Sequence, residues 1–358
     1  MGETQLRRLA APPAPPFSLP SWIRPLPVAG GRHSLAGGWA SFDQIDLVQR
    51  GDDGGYAAVR MDPDGLVDAA SDRNKAVAAL DRVMAPRADF AGLAMDRPRI
   101  MGILNATPDS FSDGGRHNAP ARAVAAGREM IAAGADIIDI GGESTRPGAE
   151  PVTRNQELAR VLPPLAGLKG GGAVLSIDTR HAEVMTRAVA AGAGIINDVG
   201  GLRGDGALDA AAAAAVPVII MHMQGTPETM QADPVYGFAP VEILEFLEAR
   251  IGAAVAAGIP REMIAIDPGF GFGKTVVHNL QMIDWAAMLH MLGVPVLIGA
   301  SRKSSIAKLS AGEDADNRLA GSIVLAMAGV AQGCQLLRVH DVAETGQALA
   351  VRMALAGA

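Results

Sequence analysis

Cysteine is nearly missing from this 358-residue chain; Cys334 is the only one. A lone thiol closes no internal disulfide, which argues against a disulfide-framed secreted scaffold and for a reducing compartment, the cytoplasm. Long apolar runs are missing too, since none approaches the ~18 residues that read as a membrane span. Positive charge is in deficit: 31 Lys and Arg against 38 Asp and Glu leave a net charge of −7. No nucleic-acid partner is therefore expected, although a local basic pocket for a phosphorylated small molecule is compatible with that balance. The seven histidines show no His-x-x-x-His spacing, and no Cys-x-x-Cys occurs, so the usual zinc sites are excluded. Met1–Leu9 carries two arginines but leads into prolines, not an apolar signal core, and Leu6 breaks the myristoylation pattern that Gly2 would open.

What is present is ordinary for a soluble globular chain: 49% hydrophobic and 19% charged residues, enough for one large domain or two average ones. The 43 glycines and 23 prolines indicate frequent tight turns. Seven prolines between Pro12 and Pro27 read as an extended, poorly ordered lead-in. Ala40–Val48 and Tyr56–Met61 alternate around Gly51-Asp52-Asp53-Gly54-Gly55, a hairpin pattern. Ser71–Met84 has helical spacing, with Ser71 or Asp72 as its N-cap. Residues 1–95 thus form an appendage of a small hairpin plus a helix, without concentrated chemistry.

From residue 96 to 358 the pattern becomes regular. Eight short Ile/Val-rich runs recur: Ile100–Leu104, Asp136–Ile140, Ala173–Ile177, Gly194–Ile196, Val216–Met221, Met263–Ile266, Pro295–Ile298 and Gln335–Val339. Unbroken apolar runs indicate strands covered on both faces, hence a parallel sheet. The gaps hold helical stretches: Ala119–Ala133, Asn155–Leu168, His181–Ala191, Ala207–Ala215, Val241–Ala257, His278–Leu292, Arg318–Ala331 and Val342–Leu355. Eight such units predict an α/β fold, a (β/α)8 TIM barrel; an open doubly wound sheet is the alternative.

Chemistry in such a barrel collects at the carboxyl ends of the strands, and here those ends are polar. In order they carry Asn105; Glu143 to Arg146; Asp178; Asn197-Asp198; Met221-His222; Asp267; Ser301-Arg302-Lys303; and Arg338 with His340. All eight are expected to converge on one mouth. Residues i and i+2 share a strand face, so Arg338 and His340 point there together as anion-binding groups. Across the ring, Asp178, Asn197 and Asp267 suit a flat heterocycle bearing N–H donors, and Met221 could form an apolar wall. The pocket is predicted to be split into an acidic floor and a basic rim. Pro268–Thr275 looks like a P-loop but has proline where the first glycine belongs, and Lys274 occupies the third-glycine position of a dinucleotide fingerprint.

These stretches carry a family resemblance: RIMGILNATPDSFSDGG (Arg99–Gly115), GADIIDIGGESTRP (Gly134–Pro147), SIDT (Ser176–Thr179), IIND (Ile195–Asp198), MHMQG (Met221–Gly225), DPGFGFGK (Asp267–Lys274), SRKS (Ser301–Ser304) and RVHDV (Arg338–Val342). From about residue 97 onward the chain resembles dihydropteroate synthase. It departs at Ala106, usually Val, at Gly200-Gly201, where a larger residue is common, and in its longer N-terminal leader. The resemblance implies condensation of 6-hydroxymethyl-7,8-dihydropterin diphosphate with 4-aminobenzoate, giving 7,8-dihydropteroate and pyrophosphate, with Mg²⁺ and as a homodimer. It implies that Asp178, Asn197, Asp267 and Lys303 hold the pterin edge, while Arg338 covers the ring and, with His340, binds diphosphate. Asn105 meets the metal. Asp109, Phe111, Thr145, Arg146 and Pro147 close over the site, and with Ser304 and the Lys303 stem form the aminobenzoate pocket. Phe272 also lines the substrate site, and Asp113-Gly114-Gly115 suits a mobile lid. Two other readings share the pterin floor: a pterin-dependent methyltransferase and a catalytically silent pterin-binding paralogue.

Overall fold

The computed structural model describes residues 7–8, 21–106, 119–143, 152–226 and 229–357. The N-terminal unit is larger than a hairpin plus a helix. Strands β1 (Arg7–Arg8), β2 (Trp22–Pro27), β3 (His33–Ser34), β4 (Ser41–Arg50) and β5 (Tyr56–Met61) form a sheet ordered β1-β5-β4-β2, with β3 also on β4. The foreseen hairpin is β4–β5, closed by Gly51 N donating to Gly55 O at 2.8 Å. The end of the proline-rich lead-in is the ordered strand β2, antiparallel to β4 with Pro25 opposite Ile45. Proline is tolerated there because β2 is an edge strand, where a missing N–H interrupts no further ladder.

Helix α1 (Pro63–Ala69) was not anticipated; Asp62 caps it by accepting from Gly65 N. Helix α2 (Arg73–Met84) is the expected one, capped by Asp72 rather than Ser71. The sheet is apolar on both faces. Ile45, Leu47 and Val59 pack with Leu66, Leu80 and Val83 of α1 and α2, while Trp22, Val48 and Tyr56 join the main core.

The barrel strands are β6 (Arg99–Asn105), β7 (Ile137–Gly141), β8 (Val174–Asp178), β9 (Ile195–Asp198), β10 (Val218–Met221), β11 (Ile264–Asp267), β12 (Leu297–Ile298) and β13 (Leu336–Val339). They are parallel in the order β11-β10-β9-β8-β7-β6-β13-β12, and an Ile266–Val296 bridge joins the two ends. The sheet is closed, which excludes the open doubly wound alternative. Helices α3 (Ala119–Ala132), α4 (Arg154–Leu168), α5 (Ala182–Ala191), α6 (Ala207–Ala214), α7 (Ala239–Ala256), α8 (Val276–Asp284), α9 (Ser304–Leu309), α10 (Leu319–Ala331) and α11 (Val342–Gly357) surround it. The expected helix His278–Leu292 is divided: α8 ends at Asp284 and a 3-10 segment, Ala286–Leu292, follows. Trp285 at the break is buried edge-on against Phe238, with the Arg24 guanidinium 4.1 Å from its ring centre.

Strand parity sorts the barrel interior. Ile138, Ile140, Leu175 and Ile177 face the helices as part of the outer core. At the amino ends of the strands Met101, Ile137, Ile195, Ile219, Leu297 and Leu336 fill the barrel. Phe90 and Leu93 exchange backbone hydrogen bonds of 2.9 Å in a tight turn below them. That turn drives Phe90, with Met95, into the apolar base of the barrel.

Candidate active site

Two residues further along the same strands the interior changes character. Asp139 of β7, with no exposed surface, accepts three hydrogen bonds: from Ser176 Oγ (2.6 Å), Asn197 Nδ2 (3.0 Å) and Arg338 Nε (2.6 Å). Arg338 Nη2 donates in turn to Asp178 Oδ2 at 2.6 Å. The guanidinium from β13 therefore reaches across the barrel to two carboxylates, one of which, Asp139, also holds the Asn197 amide. Burial raises the Asp178 carboxyl from its ordinary value while Arg338 opposes the rise; burial also lowers the Arg338 guanidinium, but the Asp139 and Asp178 carboxylates together outweigh it and push it up. The predicted separation of acidic floor and basic rim does not hold here, because Arg338 is ion-paired with the floor. A buried guanidinium needs such partners, since an unpaired charge in this setting is costly.

Asp267 closes the other side. Its Oδ1 accepts from Gly269 N at 2.6 Å, and a Cβ placed on Gly299 would lie 3.6 Å from its Oδ2 and 3.7 Å from Arg338 Cβ. The two side chains thus flank one backbone position at the mouth. Burial raises the Asp267 carboxyl, opposed by Gly269, Arg338 and Lys303. Lys303 Nζ lies 4.0 Å from the Phe272 ring centre, a cation–π contact. Met221 and Phe272 pack together with Met223 and Met230, an apolar wall beside the carboxylates. Asn105, half-buried, ends β6, and Ser304 is exposed at the first turn of α9.

The loop after β11 is shaped by groups whose role the sequence did not reveal. Lys274 is buried and donates to Gly269 O (2.9 Å) and Phe272 O (3.0 Å), with its Nζ also 2.9 Å from His222 Nδ1. Burial pushes this ammonium down to about 7 and, with Lys274 beside it, pushes His222 down to about 2. Gly269, at φ +71°, sits so close to His222 O that a Cβ would lie 1.9 Å away; only glycine fits. The lysine of the P-loop look-alike therefore pins the turn that presents Phe272.

Not every polar strand end faces the mouth. His222 lies between Tyr236 and Phe246. Asp198 instead accepts from Gly200 N and Leu202 N and holds its own loop. Arg302 is paired with Asp341 and Asp316, so the cations of the mouth are Lys303 and Arg338, among the described residues. His340 faces Ser301, with Nδ1 3.0 Å from Oγ. Asp109, Phe111, Asp113-Gly114-Gly115, Thr145, Arg146 and Pro147 lie outside the described residues. The structure adds Asp139, Ser176 and Lys274; Asp139 had a signal, an acid inside the apolar run Ile137–Ile140.

Carboxylates meeting a guanidinium at the carboxyl ends of a closed parallel barrel, beside an apolar wall, define a barrel enzyme built to hold a flat heteroaromatic ligand. The family described as "Pterin binding enzyme" matches residues 101–340. Dihydropteroate synthase of Neisseria meningitidis serogroup B is 46% identical over 269 residues, 74% of this chain and 94% of that protein. The Xanthomonas albilineans dihydropteroate synthase structure with 4-aminobenzoic acid is 50% identical, with a TM-score of 0.72 over 76% of this chain and 99% of that one. The same organism's enzyme in complex with 7,8-dihydropteroate is 47% identical at a TM-score of 0.70, covering 76% and 100%. The chain belongs to the dihydropteroate synthase family.

Proposed function

We propose that this chain is a transferase that joins 6-hydroxymethyl-7,8-dihydropterin diphosphate to 4-aminobenzoate, releasing pyrophosphate and forming 7,8-dihydropteroate, a step of folate synthesis. One observation supports the reading: Arg338 bonds both Asp139 and Asp178, Asn197 shares Asp139, and the Arg338 and Lys303 charges act on buried Asp267. Asp178 and Asp267 accept hydrogen bonds from the pterin's amino and ring N–H groups, each charge-assisted bond contributing ~1.5–3 kcal/mol. Asn197 and Lys303 complete that edge, and Met221 and Phe272 flank the ring. Arg338, with His340, takes the diphosphate, whose charge grows as the carbon–oxygen bond breaks. The cation left on carbon is conjugated with the dihydropterin and stabilised by the nearby carboxylates. The weak arylamine then attacks, so no strong base is required. Ser304, the Lys303 stem, Asp109, Phe111, Thr145, Arg146 and Pro147 receive the aminobenzoate.

Magnesium fits this scheme as a partner of the substrate. Among the described residues no group of three or more His, Cys, Asp or Glu side chains could hold a metal ion, and Mg²⁺ characteristically uses few protein oxygens plus substrate phosphates and water. The Asn105 side-chain oxygen would hold it together with the diphosphate, where it supplies charge neutralisation of the leaving group.

A pyrophosphate-release assay tests the function. Release that requires both substrates supports it. A methyltransferase would release none, and a silent paralogue would bind pterin without turnover; either result would overturn the proposal. We also propose a cytoplasmic homodimer. Helices α8, α10 and α11 lie side by side and leave Val277, Leu280, Val324, Val351 and Leu355 between 40% and 69% exposed, an apolar face of the kind that pairs in oligomers. No helix among the described residues is long and apolar enough to cross a membrane.

A further inference from the structure

Ser301 follows β12 at the mouth, and it is buried. Two contacts tie its hydroxyl to His340: the His340 backbone N–H donates to Oγ at 3.2 Å, and Oγ lies 3.0 Å from Nδ1 of the same residue. A hydroxyl has one proton and two lone pairs. One lone pair is taken by the backbone N–H. If Nδ1 carried the imidazole proton it would take the second, leaving the hydroxyl proton buried with no acceptor in hydrogen-bond range among the described residues. If Nδ1 is bare, it accepts that proton and every group is satisfied, the arrangement that buried polar atoms adopt.

The ring has a single proton to place. Burial, together with the Arg338, Arg302 and Lys303 charges and against Asp341, holds His340 down at about 3, so the imidazole is neutral at pH 7. With Nδ1 committed to Ser301, the proton sits on Nε2. The nitrogen partner of a histidine sets the tautomer of its other nitrogen in this way.

We infer that Ser301 is a positioning residue which, by donating to Nδ1, fixes His340 as its Nε2–H tautomer and so makes the imidazole a hydrogen-bond donor for a diphosphate oxygen. The inference rests on the proposed placement of the diphosphate at Arg338 and His340. It gives the two residues distinct parts: Arg338 supplies the positive charge, and His340 a neutral donor that adds no repulsion beside it.

The test uses the full chain with two readouts. Nitrogen-15 NMR of the histidine rings, with His340 assigned by the resonances lost in His340→Asn, reports the tautomer directly. Calorimetry measures binding of inorganic pyrophosphate with magnesium and, separately, of 6-hydroxymethylpterin, which lacks phosphate. The expected result is a bare Nδ1 and protonated Nε2 in the unaltered protein. Ser301→Ala should give mixed tautomers and about tenfold weaker pyrophosphate binding, with pterin binding unchanged. Ser301→Thr, which keeps the hydroxyl, should restore both, and Ser301→Ala should add nothing in a His340→Asn background. An Nδ1–H tautomer in the unaltered protein would overturn the inference. So would a Ser301→Ala variant that binds pyrophosphate normally, or one that loses pterin and pyrophosphate equally. If His340→Asn alone left pyrophosphate binding intact, the diphosphate placement itself would fall, and this inference with it.

Discussion

The lower and upper halves of the barrel interior are built from the same strands and differ in almost everything else. Leu336 and Arg338 are separated by about 6.6 Å of extended chain, as are Ile137 and Asp139, Ile195 and Asn197, and Ala265 and Asp267. The lower residue of each pair belongs to a dry apolar cluster sealed by Phe90 and Met95. The upper one is charged or polar and is held by a specific partner: Arg338 by Asp139 and Asp178, Asn197 by Asp139, and Asp267 by Gly269 N. The lower half is tolerant in its chemistry and strict about volume. In the upper half the reverse applies, because an ion pair with one member removed leaves a buried charge without compensation. Strict volume and strict charge pairing are therefore set by residues one strand repeat apart.

Arg338→Met should have the largest effect. It should abolish pyrophosphate release, lowering kcat/KM by at least ~10³-fold through loss of leaving-group stabilisation, and also destabilise the fold by about 3–5 kcal/mol by stranding Asp139. Adding Asp139→Asn should recover stability in a denaturant titration without recovering activity. Recovery of both would mean that Arg338 acts only as a counter-ion. Leu336→Ala, two residues below, should cost ~2–5 kcal/mol by opening a cavity yet leave kcat unchanged below its melting point.

A smaller difference lies in pH dependence. His290 is buried outside the barrel interior, and burial beside Arg87 pushes it down to about 3. A depressed pKa contributes stability that is present above the unfolded value, ~6.5, and is lost as pH falls towards 3. Relative to His290→Gln, the unaltered chain should therefore lose about 1.4 kcal/mol per pH unit below 6.5. Asp178 and Asp267 at the mouth have raised pKa values, so their sign is opposite: stability is greatest at low pH and lost as pH rises through the folded values. Melting curves of the corresponding Asn variants against pH would separate the two behaviours.

The barrel was legible because both-face burial writes each strand as an unbroken Ile/Val run, and parity then placed Arg338 inside. Asp139 is less legible, because it lies inside the apolar run Ile137–Ile140 and not at a strand end, where polar groups stand out. Lys274 was hidden for another reason. Its role depends on carbonyls of its own loop and on His222, 52 positions away, which no local pattern encodes. The strand β2 was obscured by its prolines, because edge position is a property of the sheet and not of the segment. Arg302 looked like a ligand group in its motif, yet Asp341 and Asp316 claim it. Local spacing revealed which residues could reach the mouth; which of them are committed elsewhere emerges only from tertiary partners.

Within the upper layer, Asp267 serves the pterin and not the fold. Asp267→Asn keeps size and shape and removes only the charge, so release of pyrophosphate and the thermal midpoint should be measured on the same purified sample at pH 8. Aminobenzoate-dependent release should disappear while the midpoint stays level or rises. A variant that still turns over at nearly the normal rate, or one that no longer folds, would contradict that role for Asp267.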